Sequence, residues 1–229
     1  VSLSQSAQVS AVVTNPIQKK RLYDAGFTHP GHTEFLADLT GRPGKAVMMF
    51  ACPALKVVPA TIHIPLSQVS ATLTRSHLDQ VIRTTNADLK QRFAKSSPKI
   101  VMAGLNPHAG EEGSIGSEEL QMITPLLVEL KKEGIDVSGP YPADSLFHEA
   151  ARAKYDAAIC MYHDQALIPV KTLDFWGGVN ATLGLPIVRT SPDHGTALEL
   201  AGTGKARTDS MIAAVRLAQE MSQCHGADQ

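Results

Sequence analysis

The chain has 229 residues, enough for one large domain or two small ones, and 43% of them are hydrophobic and 19% charged, as in ordinary globular proteins. The formal net charge is −1 and no block of like charge occurs, so we predict neither a nucleic-acid nor a membrane partner. No apolar run reaches the roughly 20 residues that a membrane-spanning helix needs, and the polar start VSLSQSAQ is unlike a secretory signal. The cysteines lie far apart, which favours free thiols and a cytoplasmic location; they are Cys52, Cys160 and Cys224.

Short β-rich runs occur along the chain, and we predict strands at residues 9–14, 46–51, 56–62, 99–104, 156–161 and 186–190. Most of these runs are apolar throughout, which is typical of strands covered on both faces. The stretch VMMFACPALKVV also fits a hairpin that turns at Pro53, and such a hairpin would make the sheet mixed.

Apolar residues at helical spacing separate several of these runs. The predicted helices are residues 78–93, residues 120–130 between a cap at Ser117 and a stop at Gly134, and residues 211–217 after a cap at Thr208. Strands that alternate with helices predict an α/β fold with a mostly parallel sheet.

Three histidines follow predicted strands directly. His63 comes after residues 56–62, His108 after residues 99–104 and His163 after residues 156–161. Open α/β sheets bind ligands beyond the carboxyl ends of their strands, so the fold could bring these imidazoles together. Three neutral imidazoles that leave a coordination position open would suit a divalent metal acting as a Lewis acid. The alternative is that each histidine is an ordinary loop residue, because the spacing matches no local metal motif.

A second group of residues is suited to anions. His32 and Thr33 in GHTEF lie at a predicted helix start, where unpaired N–H groups favour phosphate or carboxylate. Lys171 and Arg189 add positive charge, and Arg189 directly follows the apolar run PIV. The alternative for both cations is a place on the ordinary surface.

Several common nucleotide and hydrolase motifs are absent from the sequence. AGTGKAR lacks the first glycine and the Ser or Thr of a P-loop, and no G-x-G-x-x-G follows a strand. Neither H-E-x-x-H nor G-x-S-x-G occurs, which argues against the commonest zinc peptidases and serine hydrolases.

Seven blocks of the chain, in order, closely resemble the 4-hydroxythreonine-4-phosphate dehydrogenase (PdxA) family of vitamin B6 biosynthesis. They are VTNPIQK, GHTEFLADLTG, GLNPHAGEEGSIGSEE, GPYPADSLF, MYHDQALIPVK, GVNATLGLPIVRTSPDHGTA and AGTGKA. The resemblance extends from about Val9 to about Leu217 and implies a fold like that of isocitrate and isopropylmalate dehydrogenases. In that fold two α/β lobes flank a cleft.

The resemblance also implies a homodimer that shares its active site across the interface, and NAD or NADP bound without the Rossmann glycines. It implies a metal held by His63, His108 and His163, with ligands for one ion drawn from both subunits. Zinc, magnesium, cobalt and manganese all remain open, although histidine ligation favours zinc or cobalt.

The family's functional residues carry over to further positions. The implied substrate contacts are His32, Thr33, Lys171, Asn180 and Arg189. Asp144 and Asp164 match acidic positions of the active-site region and are assigned to proton handling or support of the site. Asp193, His194 and Gly195 lie where the family approaches its nucleotide.

One departure from the family concerns the start of the chain. Members usually begin with a longer segment carrying a TPGDPAGIGPE-like block, and nothing here resembles it. We therefore predict that residues 1–30 and 185–229 are the remnant of a nucleotide-binding lobe. Residues 31–184 are predicted to form the lobe for metal, substrate and dimer contacts.

The implied reaction is NAD(P)-linked oxidation of 4-phosphooxy-L-threonine, whose β-keto acid product loses CO2. One alternative is a sibling enzyme that oxidises 4-phosphoerythronate or 4-phosphothreonate. Others are a metal-dependent aldolase, which also uses histidines and a phosphorylated substrate, and a non-catalytic short form that only dimerises and binds metal.

Overall fold

Within residues 1–225, the part of the chain that the computed structural model describes, eight strands form one mixed sheet. The strands are β1 (Val12–Val13), β2 (Val47–Cys52), β3 (Leu55–Pro59), β4 (Ile100–Ala103), β5 (Val137–Tyr141), β6 (Ala157–Cys160), β7 (Val179–Leu183) and β8 (Arg189–Pro192). Their spatial order is β1-β8-β7-β2-β3-β6-β4-β5. Four of the seven pairings are parallel, namely β1 with β8, β3 with β6, β6 with β4 and β4 with β5. The predicted α/β class with a mixed, mostly parallel sheet is confirmed.

Nine α-helices are present in the same residues. They are α1 (Ser2–Gln5), α2 (Lys19–Asp24), α3 (His32–Leu39), α4 (Val69–Thr72), α5 (Arg75–Arg92), α6 (Thr124–Lys132), α7 (Glu149–Arg152), α8 (His163–Leu173) and α9 (Asp209–His225). Among these described helices, none combines the length and the apolar composition that a membrane span requires.

Apolar side chains on both faces of the sheet explain why its strands lack an alternating pattern. Along β2, Met49 belongs to a core cluster shared with α5, α6 and α9, whereas Phe50 belongs to a second cluster that includes residues of α8. Successive strand residues point to opposite faces, so helices cover the sheet from both sides. The central strands are therefore buried and fix the positions of the loops at their ends.

The predicted hairpin at Pro53 is confirmed. Strands β2 and β3 pair antiparallel, with Cys52 opposite Leu55 and only Pro53 and Ala54 between them. This hairpin reverses the sheet direction, so that β3 runs parallel to β6 and β4 beyond it. The carboxyl ends of these three strands consequently lie at one edge of the sheet.

Two strands and one helix start differ from the prediction. Strands β5 and β7 were not predicted. Strand β5 contains Gly139 and Pro140, which resemble turn residues, and in β7 (VNATL) the polar residues Asn180 and Thr182 interrupt the apolar run. The predicted Ser117 cap is wrong, because the segment begins as a π-helical turn at Glu119–Ile123 and no described side chain caps it. The stop is confirmed, since Gly134 directly follows the last turn with φ +88°.

The division into two lobes stays a prediction. Strands β1 and β8, which belong to the predicted remnant of the nucleotide lobe, pair with each other, and β8 joins the rest of the sheet through β7. The final four residues of the predicted 185–229 segment lie outside the described residues.

Gly184 makes the turn that leads β7 toward β8, and its substitution tests how tightly this turn is packed. Its φ is +77°, and a methyl group added there would collide with the carbonyl oxygen of Lys45. Gly44 has a similar φ of +69° but open space around it. We expect Gly44→Ala to cost about 1–2 kcal/mol of unfolding free energy from backbone strain alone. Gly184→Ala should cost roughly 3 kcal/mol or more, because overpacking adds to that strain. Urea unfolding of the two variants measures the difference, and equal losses would contradict the packing argument.

Candidate active site

A cavity of about 290 Å³ brings together six of the residues predicted from the sequence. Those six are His32, Thr33, His63, Asn180, Arg189 and His194. The strand register explains part of this convergence, because Asn180 pairs with Ser191, and Arg189 pairs with Thr182. Side chains two residues apart on a strand share a face, so Asn180, Arg189 and Ser191 line the same floor of the cavity.

The start of α3 forms one wall of the cavity. The helix begins at His32 after the extended Gly31, as predicted, and no side chain of the described residues caps its first N–H groups. Gly31, His32 and Thr33 all line the cavity. Uncapped N–H groups at a helix start carry partial positive charge, so this wall favours an anionic group.

Arg189 places a buried positive charge beside this wall. Its side chain donates to two neutral hydroxyls, from Nη1 to Thr182 Oγ1 at 3.1 Å and from Nη2 to Thr14 Oγ1 at 2.9 Å. Its Nε has no hydrogen-bond partner within residues 1–225. Burial lowers the pKa of Arg189 to about 10, partly offset by the negative charge of Glu34, so the guanidinium stays protonated at neutral pH. The cavity therefore contains a cation whose hydrogen-bond partners in the described chain are uncharged.

Asn180 leaves a second polar atom without a partner. Its Oδ1 is buried and accepts no hydrogen bond from any described residue. A buried unpaired acceptor is costly, so this oxygen is suited to a donor group on a ligand.

His32 has a lowered pKa, caused first by burial and then by the positive charge of Arg189. The unfolded chain therefore takes up this proton at the ordinary value of 6.5, whereas the folded chain takes it up only at lower pH. The contribution of neutral His32 to the free energy of unfolding is therefore fully present above pH 6.5. It is lost as the pH falls from there through the lower pKa of the folded chain.

We therefore expect the midpoint of urea unfolding to fall when the pH is lowered from about 7.5 to about 5.5, because the unfolded chain then binds a proton at His32 more readily than the folded chain. His32→Gln should show a smaller fall, since glutamine does not titrate. An unchanged pH slope in His32→Gln would contradict the assignment.

His63 and His163 approach each other at the edge of the sheet. Their ring centroids are 5.8 Å apart and the rings are tilted by 41°. Two imidazole nitrogens that each lie about 2 Å from one ion place their ring centroids roughly 5–6 Å apart, so the pair can share a cation. Burial lowers the pKa of His63, and the charges of Lys19 and His163 lower it further against the opposing effect of Glu34. A neutral imidazole is the form that binds metal.

Asp164 holds the ring of His163. Its Oδ1 lies 2.6 Å from His163 Nδ1, and His163 is the first residue of α8. A carboxylate on one ring nitrogen leaves Nε2 as the free ligand atom and fixes the orientation of the ring. The role of Asp164, in proton handling or in support of the site, stays a prediction.

His108 is not brought to this pair within the described chain. It lies in the turn Pro107–Gly113 and has a φ of +53°. No group of three or more His, Cys, Asp or Glu side chains in residues 1–225 is arranged to bind a metal. The metal site of three histidines thus stays a prediction. In the described part of one chain, two of the three imidazoles, those of His63 and His163, lie close together.

The remaining predicted residues lie around the cavity or apart from it. Lys171 Nζ lies 2.8 Å from Asp193 Oδ2, as an ion pair without hydrogen-bond geometry, and donates to Asp193 O at 3.1 Å. Lys171 also lines a shallow cavity of about 340 Å³ with His163 and Asp164. Asp144 is exposed in the turn Ala143–Ser145 and lines neither cavity.

The loop predicted for the nucleotide reaches the main cavity through one residue. His194 lines that cavity, and its Nδ1 lies 2.7 Å from the carbonyl oxygen of Gly195.

Two further charged residues, for which the sequence predicts no role, also line the cavity. Lys19 adds positive charge near His63, and Glu34 acts on both His63 and Arg189. Both belong to blocks quoted above, VTNPIQK and GHTEF, so their position in those blocks was the available signal. With two cations and one carboxylate, the fixed charge of the cavity is positive.

Comparison with known proteins identifies the family of the chain. Residues 1–218 match the family model described as pyridoxal phosphate biosynthetic protein PdxA. A 4-hydroxythreonine-4-phosphate dehydrogenase of Ruegeria sp. (strain TM1040) is 58% identical over 97% of this chain and 68% of its own length. Another, of Bradyrhizobium diazoefficiens, is 55% identical over 95% of this chain and 64% of its own length. The chain thus spans about two thirds of the length of these curated relatives.

Solved structures give the same relationship. A crystal structure of 4-hydroxythreonine-4-phosphate dehydrogenase from Klebsiella pneumoniae superposes with a TM-score of 0.89 at 41% identity, over 97% of this chain and 67% of that one. An isocitrate dehydrogenase from Methylococcus capsulatus shares the fold alone, with a TM-score of 0.54 at 14% identity. The predicted likeness to the isocitrate dehydrogenase fold is confirmed. The family match over nearly the whole chain shows that it belongs to the pyridoxal phosphate biosynthetic protein PdxA family.

Proposed function

We propose that this chain carries the substrate site, and part of the metal site, of a 4-hydroxythreonine-4-phosphate dehydrogenase. The reaction is oxidation of 4-phosphooxy-L-threonine to 2-amino-3-oxo-4-phosphooxybutanoate with NAD or NADP as the hydride acceptor. The product then decarboxylates to 3-amino-2-oxopropyl phosphate, a step toward pyridoxal phosphate. The observation that carries the proposal is the buried, charged Arg189, which in the described part of the chain is bonded only to neutral hydroxyls and lies in a cavity beside a helix start.

An anionic, phosphorylated amino acid fits the charges of this cavity. Arg189, Lys19 and the start of α3 would hold the phosphate or the carboxylate, because each offers N–H donors with positive charge. Asn180 Oδ1, which has no donor in the described chain, would accept from the ammonium or hydroxyl of the substrate. Contacts at both ends of the substrate would fix the position of its C3 hydroxyl.

The donor set at the sheet edge fits a divalent cation in part. His63 and His163 are near enough to share one ion, and we propose that the partner subunit's His108 supplies the third imidazole in a homodimer. When bound, such an ion supplies a Lewis acid that lowers the pKa of a hydroxyl and polarises a carbonyl. Zinc and cobalt suit these ligands best, with magnesium and manganese as the other candidates.

The other residues have roles in orientation and proton transfer. Asp164 orients His163 through its contact at Nδ1, and Lys171 is proposed to contact the substrate from the neighbouring shallow cavity. Asp144 and Asp164 are the proposed proton-handling groups. Asp193, His194 and Gly195 form the proposed approach for the nicotinamide nucleotide, with His194 reaching the cavity itself. We further propose a cytoplasmic location.

Formation of NADH or NADPH by the chain, supplied with a divalent metal and 4-phosphooxy-L-threonine, tests the proposal. Activity with this substrate above that with 4-phosphoerythronate and 4-phosphothreonate supports it, whereas the reverse preference identifies a sibling dehydrogenase. Cleavage of the substrate without reduced nucleotide would indicate an aldolase. Normal metal binding with weak nucleotide binding and no turnover would indicate a non-catalytic form.

A further inference from the structure

We propose that Thr61 and Gln165 are positioning residues that hold the strand ends carrying His63, His163 and His108 in register. The inference rests on the proposed function, since it concerns the histidines assigned to the metal. It gives a role to the side-chain amide of Gln165, which follows His163 by two residues in the MYHDQ block. The main-chain groups of Met161 form the centre of this network.

Hydrogen bonds that involve side chains connect the ends of β3, β6 and β4 where the regular strand pairing stops. The last register pairs are Pro59 with Cys160 between β3 and β6, and Met102 with Ile159 between β4 and β6. Beyond them, the Met161 N–H donates to Gln165 Oε1 at 2.7 Å, and Gln165 Nε2 donates to the carbonyl oxygen of Gly104 at 2.9 Å. Gln165 therefore connects the end of β6 to the end of β4.

Thr61 makes the matching connection on the other side of β6. Its hydroxyl donates to the carbonyl oxygen of Met161 at 2.7 Å, and its own N–H donates to the same oxygen at 3.2 Å. Thr61 is buried, so this bond is shielded from competing water. Both peptide groups of Met161 are thus fixed by side chains from two different segments.

The histidines follow these fixed points closely. His63 comes two residues after Thr61, His163 two residues after Met161, and His108 four residues after Gly104. The segment before His108 is itself held, because the buried Glu119 accepts from Asn106 N at 2.7 Å and from Asn106 Nδ2 at 2.9 Å. A shift at the network would therefore move the imidazoles relative to one another with little flexible chain to absorb it.

The network would act on two metal sites at once in the proposed homodimer. Thr61 and Met161 set the distance between His63 and His163 in one site. Gln165 sets the position of the loop that gives His108 to the other site. Groups that only orient metal ligands typically change metal affinity by about 10- to 100-fold, so the effect is measurable without turnover.

The test compares cobalt binding and its visible absorption spectrum in matched variants. Thr61→Val and Gln165→Met keep the side-chain size but remove the hydrogen bonds, and each is expected to raise the Kd for Co²⁺ about tenfold or more. Thr61→Ser restores the hydroxyl and should bring the Kd back to within about twofold of the unsubstituted chain. Thr85→Val is the control, since Thr85 is equally buried and donates to a main-chain oxygen at 2.7 Å, but within α5. It should leave the Kd unchanged whatever its effect on unfolding.

Wild-type affinity and spectrum in both Thr61→Val and Gln165→Met would overturn the inference. Should Gln165→Met fail to fold, Gln165→Glu keeps the acceptor for Met161 N–H and removes the donor to Gly104, and an unchanged Kd there counts equally against it. If the unsubstituted chain binds no Co²⁺, the proposed metal site fails instead. NMR signals of the histidine rings then decide the positioning role, because the rings of His63 and His163 should shift in Thr61→Val but not in Thr85→Val. Unshifted rings would refute it.

Discussion

Arg189→Met is expected to weaken binding of a phosphorylated hydroxy acid by roughly 100-fold while leaving the chain as stable as before or more stable. Truncating one partner of a buried charge contact typically costs about 2–5 kcal/mol, and about 2.8 kcal/mol corresponds to a factor of 100 in Kd. The contact at stake is the one between the guanidinium and an anion, because within the described chain Arg189 bonds only to the hydroxyls of Thr182 and Thr14.

The stability half of this prediction follows from the cost of burying a charge. Arg189 is 4% exposed, and the same burial that lowers its pKa opposes folding. Methionine has a similar length and no charge, so it removes that cost, although the two threonine hydroxyls lose a donor. A side chain that lowers stability yet favours an anion is what a binding site requires, whereas a structural arginine should stabilise the fold.

Arg92 provides the matched control in the same chain. It is 1% exposed, its Nε lies 3.4 Å from Asp88 Oδ2, and its Nη2 donates to the carbonyl oxygen of Leu185. Arg92→Met removes the guanidinium from a buried carboxylate, which typically costs about 3–5 kcal/mol. The folded fraction of this variant should bind ligand normally, because Arg92 does not line the cavity.

Urea unfolding and calorimetric titration with 4-phosphooxy-L-threonine measure both halves, and inorganic phosphate serves as a simpler probe. The expected result is an inverse pattern, with binding lost in Arg189→Met and stability lost in Arg92→Met. Retained binding in Arg189→Met, together with a stability loss like that of Arg92→Met, would show that Arg189 is structural.

The strand ends could be predicted from the sequence because buried parallel strands leave continuous apolar runs. His63 and His163 were identified in this way, and the structure places them together because β3 and β6 are neighbours. Their adjacency could not be read from the chain, since β4 lies between them in sequence but on the far side of β6 in space. His108 follows the same pattern in sequence, but it lies in a turn with left-handed backbone angles and forms no three-residue group with the pair in the described chain.

The burial of Arg189 and its hydrogen-bond partners could not be predicted from the sequence either. Its charge was visible, but its burial depends on β1 and β7 lying on either side of β8, and on the hydroxyl of Thr14, 175 residues away. Strand β7 itself escaped prediction because Asn180 and Thr182 interrupt its apolar residues, although Asn180 lines the cavity. Contacts between distant segments therefore determine the electrostatics of the site.

His163→Ala is expected to lower metal affinity by more than the roughly 10- to 100-fold that loss of an orienting group costs, because it removes one of the proposed ligands itself. Metal-dependent turnover should be lost with it, while the fold persists, since His163 is partly exposed at the first position of α8. Asp164→Asn provides the graded comparison. It keeps an oxygen near His163 Nδ1 but removes the charge, so its loss of affinity should fall within that lower range.

His148→Ala controls for the removal of an exposed histidine that lines neither cavity. Calorimetric titration with Zn²⁺ or Co²⁺ and the thermal unfolding midpoint measure the three variants side by side. We expect the order of affinity to be His148→Ala equal to the unsubstituted chain, then Asp164→Asn, then His163→Ala. That order arises only if the imidazole of His163 contacts the ion and Asp164 acts through it. Full affinity and turnover in His163→Ala would show that the metal does not bind at this edge of the sheet, because His63 would then have no neighbouring imidazole with which to share it.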